Sequence, residues 1–219
     1  MDELTTFDLL DDEHERSLRR GVMNILSTDV AEVAFAQLFD GLPTEQSLRD
    51  SSPPLNGHPV FELRHSDPCE GFLAKAREFR TRLDLSQLRF SQKLLLAFQN
   101  TEPESRDFHL RLVEVVVVAC HQMAAHVFEL DGGAHKHQLH RDWLRGPEAE
   151  RWTEVRGYSP PPIAFFHEYY TESERYPRGL GDIAGYWAEG KIFGGVVVFD
   201  RGESDSEVRR APVRMETGC

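Results

Sequence analysis

The stretch TEPESRDFHLRLVEVVVVACHQMAAHVFELDGG, residues 101–133, indicates the fold most directly. It opens on Thr101-Glu102-Pro103-Glu104, a capping-box pattern, and closes on Gly132-Gly133, which suits a helix C-cap. Residues 112–128 are apolar nearly all round, so we expect this helix to lie in the middle of a bundle. A helix of about 28 residues that ends at Leu130 would be roughly 40 Å long.

Helical spacing of apolar residues predicts shorter helices on both sides of this segment. Two of them fill the first forty residues, where Gly41-Leu42-Pro43 ends the second. Residues 43–59 contain four prolines and are predicted to form a long loop. Further helices are expected from Asp67, from about Ser86 to Asn100, across 134–156 with a break at Gly146-Pro147, and across 179–189.

A small β element completes the expected architecture. Residues 59–64 and residues 191–201, with Val196-Val197-Val198-Phe199 as the core of the second segment, are the predicted strands. The two are expected to pair because a single strand is not stable in water. We therefore predict a mainly α protein, a helical bundle around a long central helix, forming a single domain over residues 1–219 with a frayed tail after about residue 203.

Composition excludes several classes of partner. The chain has 37 acidic and 25 basic residues, a formal charge of −12, which disfavours binding to nucleic acid or to anionic membranes. Three scattered cysteines without a CxxC pair exclude a disulfide framework. The N-terminus does not resemble a signal peptide, and no membrane-spanning segment is expected, so we predict a cytoplasmic protein. The sequence gives no indication of oligomeric state.

Ten histidines are the compositional excess of this chain, and seven of them lie between His109 and His167. Glu114 and His121 are two helical turns apart on the central helix, and Arg111 lies one turn before Glu114. A buried carboxylate needs a cation, a hydrogen-bond donor or a metal ion. Taken singly, Glu114 is better explained as the partner of Arg111 in an ion pair. His121, taken singly, is better explained as a structural histidine of the core.

Three more histidines form an H-x-H-x-x-H cluster after the two glycines, and His167 lies in the aromatic segment FFHEYY, residues 165–170. His137 and His140, three residues apart, could ligate one ion jointly, although a solvated helix face explains the cluster equally well. His167 is either a packed core residue or a ligand or general base beside Tyr169 or Tyr170. Cys120 is expected to be an inert small hydrophobe.

The segments YPRGLGDIAGYWAE (176–189) and IFGGVVVFDRG (192–202) resemble the fungal cyclopenase (viridicatin synthase)-like family of quinolone-alkaloid biosynthesis. The segments RLVE (111–114), HQ (121–122), FEL (128–130), FDLLDDE (7–13) and FFH (165–167) resemble the same family. The resemblance implies a hemocyanin-like helical fold that holds a single zinc ion in place of two coppers. It carries over His121 and Glu114 as metal ligands, with His135 and His167 as further candidates.

By this resemblance the protein is expected to be a zinc-dependent lyase-type enzyme. It would convert a cyclopenin-like benzodiazepinedione epoxide to a viridicatin-type 3-hydroxy-4-arylquinolin-2-one. Zinc would polarise a substrate oxygen, while Glu114 and Tyr176 are the expected catalytic proton-transfer residues. The alternative is a non-catalytic helical binding or scaffold protein of a biosynthetic cluster. A copper oxygen-binding protein is disfavoured because the chain lacks paired HxxxH motifs.

Overall fold

The computed structural model describes residues 4–51 and 55–199. It confirms a mainly helical fold with a small two-stranded sheet. Within these residues the α-helices are α1 (Asp12–Leu26), α2 (Asp29–Asp40), α3 (Glu45–Ser51), α4 (Pro59–Glu62), α5 (Phe72–Arg82), α6 (Gln92–Gln99), α7 (Arg106–Glu129), α8 (Gln138–Leu144), α9 (Pro147–Arg156) and α10 (Leu180–Phe193). The strands are β1 (Leu4–Thr5) and β2 (Phe90–Ser91).

Helix α7 is the central helix of the bundle, as its apolar sequence predicts. It packs against α10, α1, α2 and α6, and its middle residues Val115, Val116 and Val117 are buried. It begins one turn later than expected because the Ser105 side chain, rather than Thr101, accepts the hydrogen bond from the Phe108 N–H. Helix α7 is long and apolar enough to cross a bilayer by length and composition alone, a test that the buried core helix of a bundle also passes.

The expected positions of the two strands are wrong. β1 pairs antiparallel with β2, with Leu4 opposite Ser91 and Thr5 opposite Phe90. Residues 59–62 form helix α4 instead of a strand, because Pro59 fills the first helical position and the His58 side chain accepts a hydrogen bond from the Val60 N–H.

The second expected strand, residues 191–201, also differs from the structure. Its first residues continue α10 as far as Phe193, where Gly194 ends the helix at a φ of +76°. Residues 195–199 are described but form no strand, and the remainder of that segment and the expected frayed tail after 203 lie outside the described residues.

Other boundaries moved by a few residues. The expected 43–59 loop contains α3, and the helix expected from Asp67 begins at Phe72 after Gly71. The break expected at Gly146-Pro147 is confirmed, since α9 begins at Pro147. These shifts leave the helical bundle intact, and they place the loop from Leu63 to Gly71 against the end of α2.

Close helix packing joins α10 to α7. A Cβ added at Gly185 would lie 2.6 Å from the His121 ring, and one added at Gly181 would lie 2.5 Å from Glu129 Oε1. Gly185 therefore has to be glycine for the His121 ring to approach the α10 backbone, whereas the Glu129 side chain beside Gly181 is partly exposed and can move.

Candidate metal centre

Donor atoms from four side chains converge at the C-terminal end of α2. Asp40, His65, Cys69 and His135 each offer one nitrogen, oxygen or sulfur atom, and these four atoms all lie within 4.8 Å of one another. Asp40 and His65 are buried, whereas Cys69 and His135 are partly exposed. This group of residues could hold a metal ion.

Backbone hydrogen bonds assemble the group from three separate segments of the chain. Asp40 is the last residue of α2, and its backbone carbonyl accepts a hydrogen bond of 2.8 Å from the His135 N–H. Its Oδ2 accepts a hydrogen bond of 2.9 Å from the Cys69 N–H. The His65 ring is oriented by its Nδ1, which lies 2.9 Å from the Pro43 carbonyl oxygen.

Two glycines allow these segments to touch. Gly41 has a φ of +93°, and a Cβ there would lie 2.1 Å from the His135 carbonyl oxygen. A Cβ on Gly133 would lie 2.1 Å from the Asp40 carbonyl oxygen. A side chain at either position would collide with the backbone of the other segment. Because both positions are glycine, the segment that contains Gly133 and His135 can lie against the end of α2.

The four donors lie close enough together to share one ion. Cys69 Sγ lies 3.5 Å from His135 Nε2, and His135 Nε2 lies 4.0 Å from Asp40 Oδ1. Ligand atoms around a tetrahedral zinc are about 3.3–3.8 Å apart, given metal–ligand bonds of about 2.0–2.3 Å. Asp40 Oδ1 is buried and has no hydrogen-bond partner among the described residues, as expected of an oxygen that binds a cation.

His65 has the arrangement of a metal-binding histidine. Its Nδ1 lies 2.9 Å from the Pro43 carbonyl oxygen and its Nε2 lies 2.9 Å from Asp40 Oδ2, so a metal ion would take the place of the Nε2 proton that Asp40 accepts here. A carbonyl on the second ring nitrogen is the usual partner that fixes the tautomer of a ligating histidine.

Asp40 and His65 form a charged pair in this structure, and each shifts the pKa of the other. Burial alone would raise the pKa of Asp40, but hydrogen bonds from His65 and from the Cys69 N–H outweigh it and lower this pKa. Burial lowers the pKa of His65, but Asp40 and the Pro43 carbonyl outweigh it and raise this pKa. Burial, followed by the Asp40 charge, raises the pKa of the Cys69 thiol. A cation bound to these donors would reverse this last effect, because it favours the thiolate.

Of the four residues expected to bind metal, only His135 belongs to this group. Glu114 is buried in α7, where its Oε2 accepts a hydrogen bond of 2.8 Å from Arg111 Nη1. This contact is the ion pair that the sequence offered as the structural explanation of Glu114.

His121 lies between two carboxylates of α10. Its Nδ1 is 2.7 Å from Glu189 Oε1, and its Nε2 is 3.1 Å from Asp182 Oδ1. Burial lowers the pKa of His121, but the two carboxylates outweigh it and raise this pKa to about 9. His121 therefore bridges the two carboxylates as an imidazolium, and it lies outside the four-donor group.

His167 and Tyr176 both pack against α10. The His167 ring packs beside the rings of Tyr169 and Tyr170, and its Cδ2 lies 3.1 Å from the position of a Cβ on Gly190. The Tyr176 ring packs edge-on against Tyr186 at 5.2 Å. Neither residue belongs to the four-donor group.

The two remaining histidines of the H-x-H-x-x-H cluster do not share an ion. His140 is buried, with Nδ1 2.9 Å from His58 Nε2 and Nε2 2.9 Å from the Pro161 carbonyl oxygen. His137 stacks on Phe128 at 4.0 Å between ring centres. Cys120 is buried in α7, and burial raises the pKa of its thiol to about 12, which agrees with the expected inert role.

Sequence reasoning missed Asp40, His65 and Cys69. Two weak signals were present: an H-x-x-x-C spacing from His65 to Cys69, and a carboxylate, Asp40, at the end of an apolar helix just before a glycine. Neither signal shows that these segments meet His135, because that convergence is a tertiary contact.

Comparisons with protein-family models, with curated proteins and with solved structures found no match to this chain.

Proposed function

We propose that the protein is a zinc-dependent lyase-type enzyme whose metal is held by Asp40, His65, Cys69 and His135. The observation that carries this proposal is the convergence of these four donors within 4.8 Å. This ligand set replaces the one expected from the resemblance, of which only His135 is retained.

The chemistry of the donors favours zinc. One thiol, two imidazoles and one carboxylate form a mixed sulfur, nitrogen and oxygen set of the kind that zinc takes in tetrahedral sites. An oxygen-only set would suit calcium or magnesium instead, and the sulfur of Cys69 argues against both. The chain also lacks the paired HxxxH motifs that a two-copper site requires.

The centre has a buried side, formed by Asp40 and His65, and a partly exposed side, formed by Cys69 and His135. Bound zinc would supply a Lewis acid that polarises an oxygen of the substrate, which requires a coordination position beyond the four protein donors. The buried side, Asp40 and His65, anchors the site through hydrogen bonds to the Cys69 N–H and the Pro43 carbonyl. Cys69 and His135 are partly exposed, so a small molecule can approach from their side.

The substrate class comes from the resemblance of residues 176–202 to the cyclopenase-like family. We propose a small aromatic alkaloid, a cyclopenin-like benzodiazepinedione epoxide, that is converted to a viridicatin-type quinolinone in secondary metabolism. The proposal includes a cytoplasmic location and no nucleic-acid or membrane partner, as the −12 charge suggests. Glu114 and Tyr176 stay predictions as catalytic residues.

Metal analysis tests the centre. We expect close to one equivalent of zinc per chain in protein purified without chelators, and less than a tenth of an equivalent in Cys69→Ser. Cys120→Ser is the matched control, because Cys120 lies in α7 outside the donor group, and it should keep its zinc. Equal metal content in the two variants, or none in the wild type, would overturn the assignment.

Turnover tests the activity. Zinc-loaded protein incubated with cyclopenin should form viridicatin, chelation should abolish the product, and added zinc should restore it. Absence of product from folded, zinc-loaded protein would remove the lyase proposal and leave the metal site standing.

A closed set of four protein ligands is also the arrangement of structural zinc sites, and this observation favours a second candidate. Here the ion would only tie α2, the 63–71 loop and the segment after α7 together in a non-catalytic binding or scaffold protein. Removal of zinc would then lower the melting temperature of the protein. The affinity of the folded, zinc-free protein for a small-molecule ligand would stay the same.

A further inference from the structure

An apolar cavity lies directly beside the candidate metal centre. Its volume is about 110 Å³, and its walls include Leu42, Phe128, Pro162, Ile163 and Phe165. Gly41 and His137 also line it. Gly41 follows the donor Asp40 in the chain, and His137 lies two residues after the donor His135, so the cavity and the centre share two segments of backbone.

One polar atom of this lining is unsatisfied. The Nε2 of His137 is buried and has no hydrogen-bond partner among the described residues. The other ring nitrogen, Nδ1, lies 3.6 Å from Asp131 Oδ1, and the His137 backbone N–H donates to the same oxygen. A carboxylate on this side draws the ring proton to Nδ1, which leaves Nε2 with a free lone pair.

A buried acceptor without a partner is costly in an apolar site, and a ligand that supplies a donor relieves that cost. The ring itself is held firmly, because it stacks almost parallel on Phe128, with 14° between the planes. Two exposed residues, Lys136 and Arg141, also line the cavity, so it has an approach from solvent.

The size of the cavity fits one ring. A dry cavity of about 150 Å³ lined by aliphatic and aromatic side chains can hold benzene. The walls here are largely aromatic and aliphatic, with Lys136, His137, His140 and Arg141 among them, and the smaller volume admits no more than a single six-membered ring.

We propose that this cavity binds an aryl ring of the substrate and that His137 Nε2 accepts a hydrogen bond from an O–H or N–H of the same molecule. The inference rests on the proposed function, since it assigns the cavity to the substrate of the neighbouring metal centre. It makes His137 a substrate-binding residue, a role distinct from that of a metal ligand.

Fluorine NMR with 4-fluorophenol and fluorobenzene tests the proposal on the full chain. The two probes share a ring, and only the phenol can donate to Nε2. We expect wild type to bind 4-fluorophenol about five- to tenfold more tightly than fluorobenzene, the effect of one net hydrogen bond of roughly 1 kcal/mol. Equal affinity for the two probes, or no binding of either, would overturn the proposal.

Variants locate the binding. His137→Phe keeps a ring stacked on Phe128 and should bind the two probes equally, whereas His126→Phe, at an exposed position of α7, should keep the preference of the wild type. Ala164→Leu fills the cavity and should weaken both probes at least tenfold in protein whose circular dichroism is unchanged. A preserved phenol preference in His137→Phe would contradict the assignment even if Ala164→Leu fails to fold.

The same titration on Cys69→Ser separates this inference from the proposed function. Binding of 4-fluorophenol to a chain without metal, together with no zinc in the wild type, would refute the metal centre and support the ring site. Zinc in the wild type without any probe binding would support the centre and refute the ring site.

Discussion

Two buried clusters among the described residues combine histidine with carboxylate, and they differ in how many donor atoms converge on one point. At the end of α2, donors from Asp40, His65, Cys69 and His135 converge on one point. At the α7–α10 interface, His121 stands between Asp182 and Glu189, with one carboxylate on each ring nitrogen. Four donors of mixed chemistry around one point suit a cation, whereas one imidazolium between two carboxylates makes a closed ion-pair network, so the composition of a cluster does not by itself identify a metal site.

The largest effect is expected from Asp40→Ala. The variant removes one metal donor and the acceptor of the Cys69 N–H, and it breaks the buried pair with His65. Loss of one partner of a buried pair costs roughly 3–5 kcal/mol, and loss of the metal adds to this because metal binding is coupled to folding. Urea unfolding and metal analysis should show both losses.

Asp182→Ala is the control that distinguishes the cluster at the α7–α10 interface from the candidate metal centre. It should also lower the free energy of unfolding, because Asp182 accepts hydrogen bonds from His121 and from the Arg178 N–H, yet the zinc content should stay at that of the wild type. Loss of zinc from Asp182→Ala would contradict the distinction drawn between the two clusters.

His121→Asn should destabilise the protein by about 2–4 kcal/mol without releasing metal. The variant leaves Asp182 and Glu189 without the imidazolium that separates them, and an unpaired buried carboxylate is costly. His126→Asn, at an exposed position of the same helix, should change the unfolding free energy little. Metal release from His121→Asn would restore His121 as a ligand.

The pH dependence of this effect has a defined sign. The folded pKa of His121 is raised to about 9 from a usual value of 6.5, because the two carboxylates outweigh the effect of burial. The stability that His121 contributes is therefore complete below pH 6.5 and is lost as the pH rises through about 9. The difference in melting temperature between wild type and His121→Asn should shrink over that range.

The parts of this fold that local sequence determines were predictable. The apolar spacing in α1, α2 and α7 predicts helices because a buried helical stripe depends only on residues three and four positions apart. Helix α4 was missed because its N-cap is a histidine, His58, which is not among the usual capping residues. The valines at 196–198 favour a strand, but no described segment pairs with them, so β-propensity alone misled.

The candidate metal centre was predictable only in its chemistry. The excess of histidines pointed to a metal, and His135 was among the candidates. The other ligands depend on Gly41 and Gly133, which allow the end of α2 to touch the segment after α7. That contact joins residues almost a hundred positions apart, and no local pattern encodes it. His121 was a candidate from sequence because it is an ionisable residue on an apolar helix, and its partners Asp182 and Glu189 are 61 and 68 positions away, so no local pattern shows them.

A third histidine cluster provides a neutral counterpart to the other two. His140 Nε2–H donates to the Pro161 carbonyl, so its Nδ1 accepts from His58 Nε2–H, and His58 Nδ1 accepts from the Val60 N–H. Both rings are satisfied only when neutral. Burial, and then repulsion from His140, lowers the pKa of His58 to about 3, and burial lowers that of His140 to about 4.

Acidification should therefore destabilise the wild type through this pair. A depressed folded pKa gives stability that is present above the usual value of 6.5 and is lost as the pH falls toward about 3–4. Each ring that stays neutral in the folded state contributes a loss of about 2 kcal/mol between pH 6.5 and pH 5. His58→Asn keeps a capping acceptor for α4 without a titratable ring, and urea unfolding should show a shallower acid slope for it than for the wild type.

The smallest effect is expected from Glu114→Gln, which tests the ligand role assigned to Glu114 from sequence. The Glu114 carboxylate receives the Arg111 guanidinium at 2.8 Å, and Arg111 is itself partly exposed, so solvent screens part of this attraction. The amide keeps the shape and one acceptor oxygen, and it should cost about 1 kcal/mol of stability. Zinc content should not change, because Glu114 is outside the group of donors at the end of α2. A Glu114→Gln variant that binds no zinc and yet unfolds at the same urea concentration as the wild type would contradict the conclusion that Glu114 is not a ligand. Loss of zinc without loss of stability would identify Glu114 as a ligand of the ion.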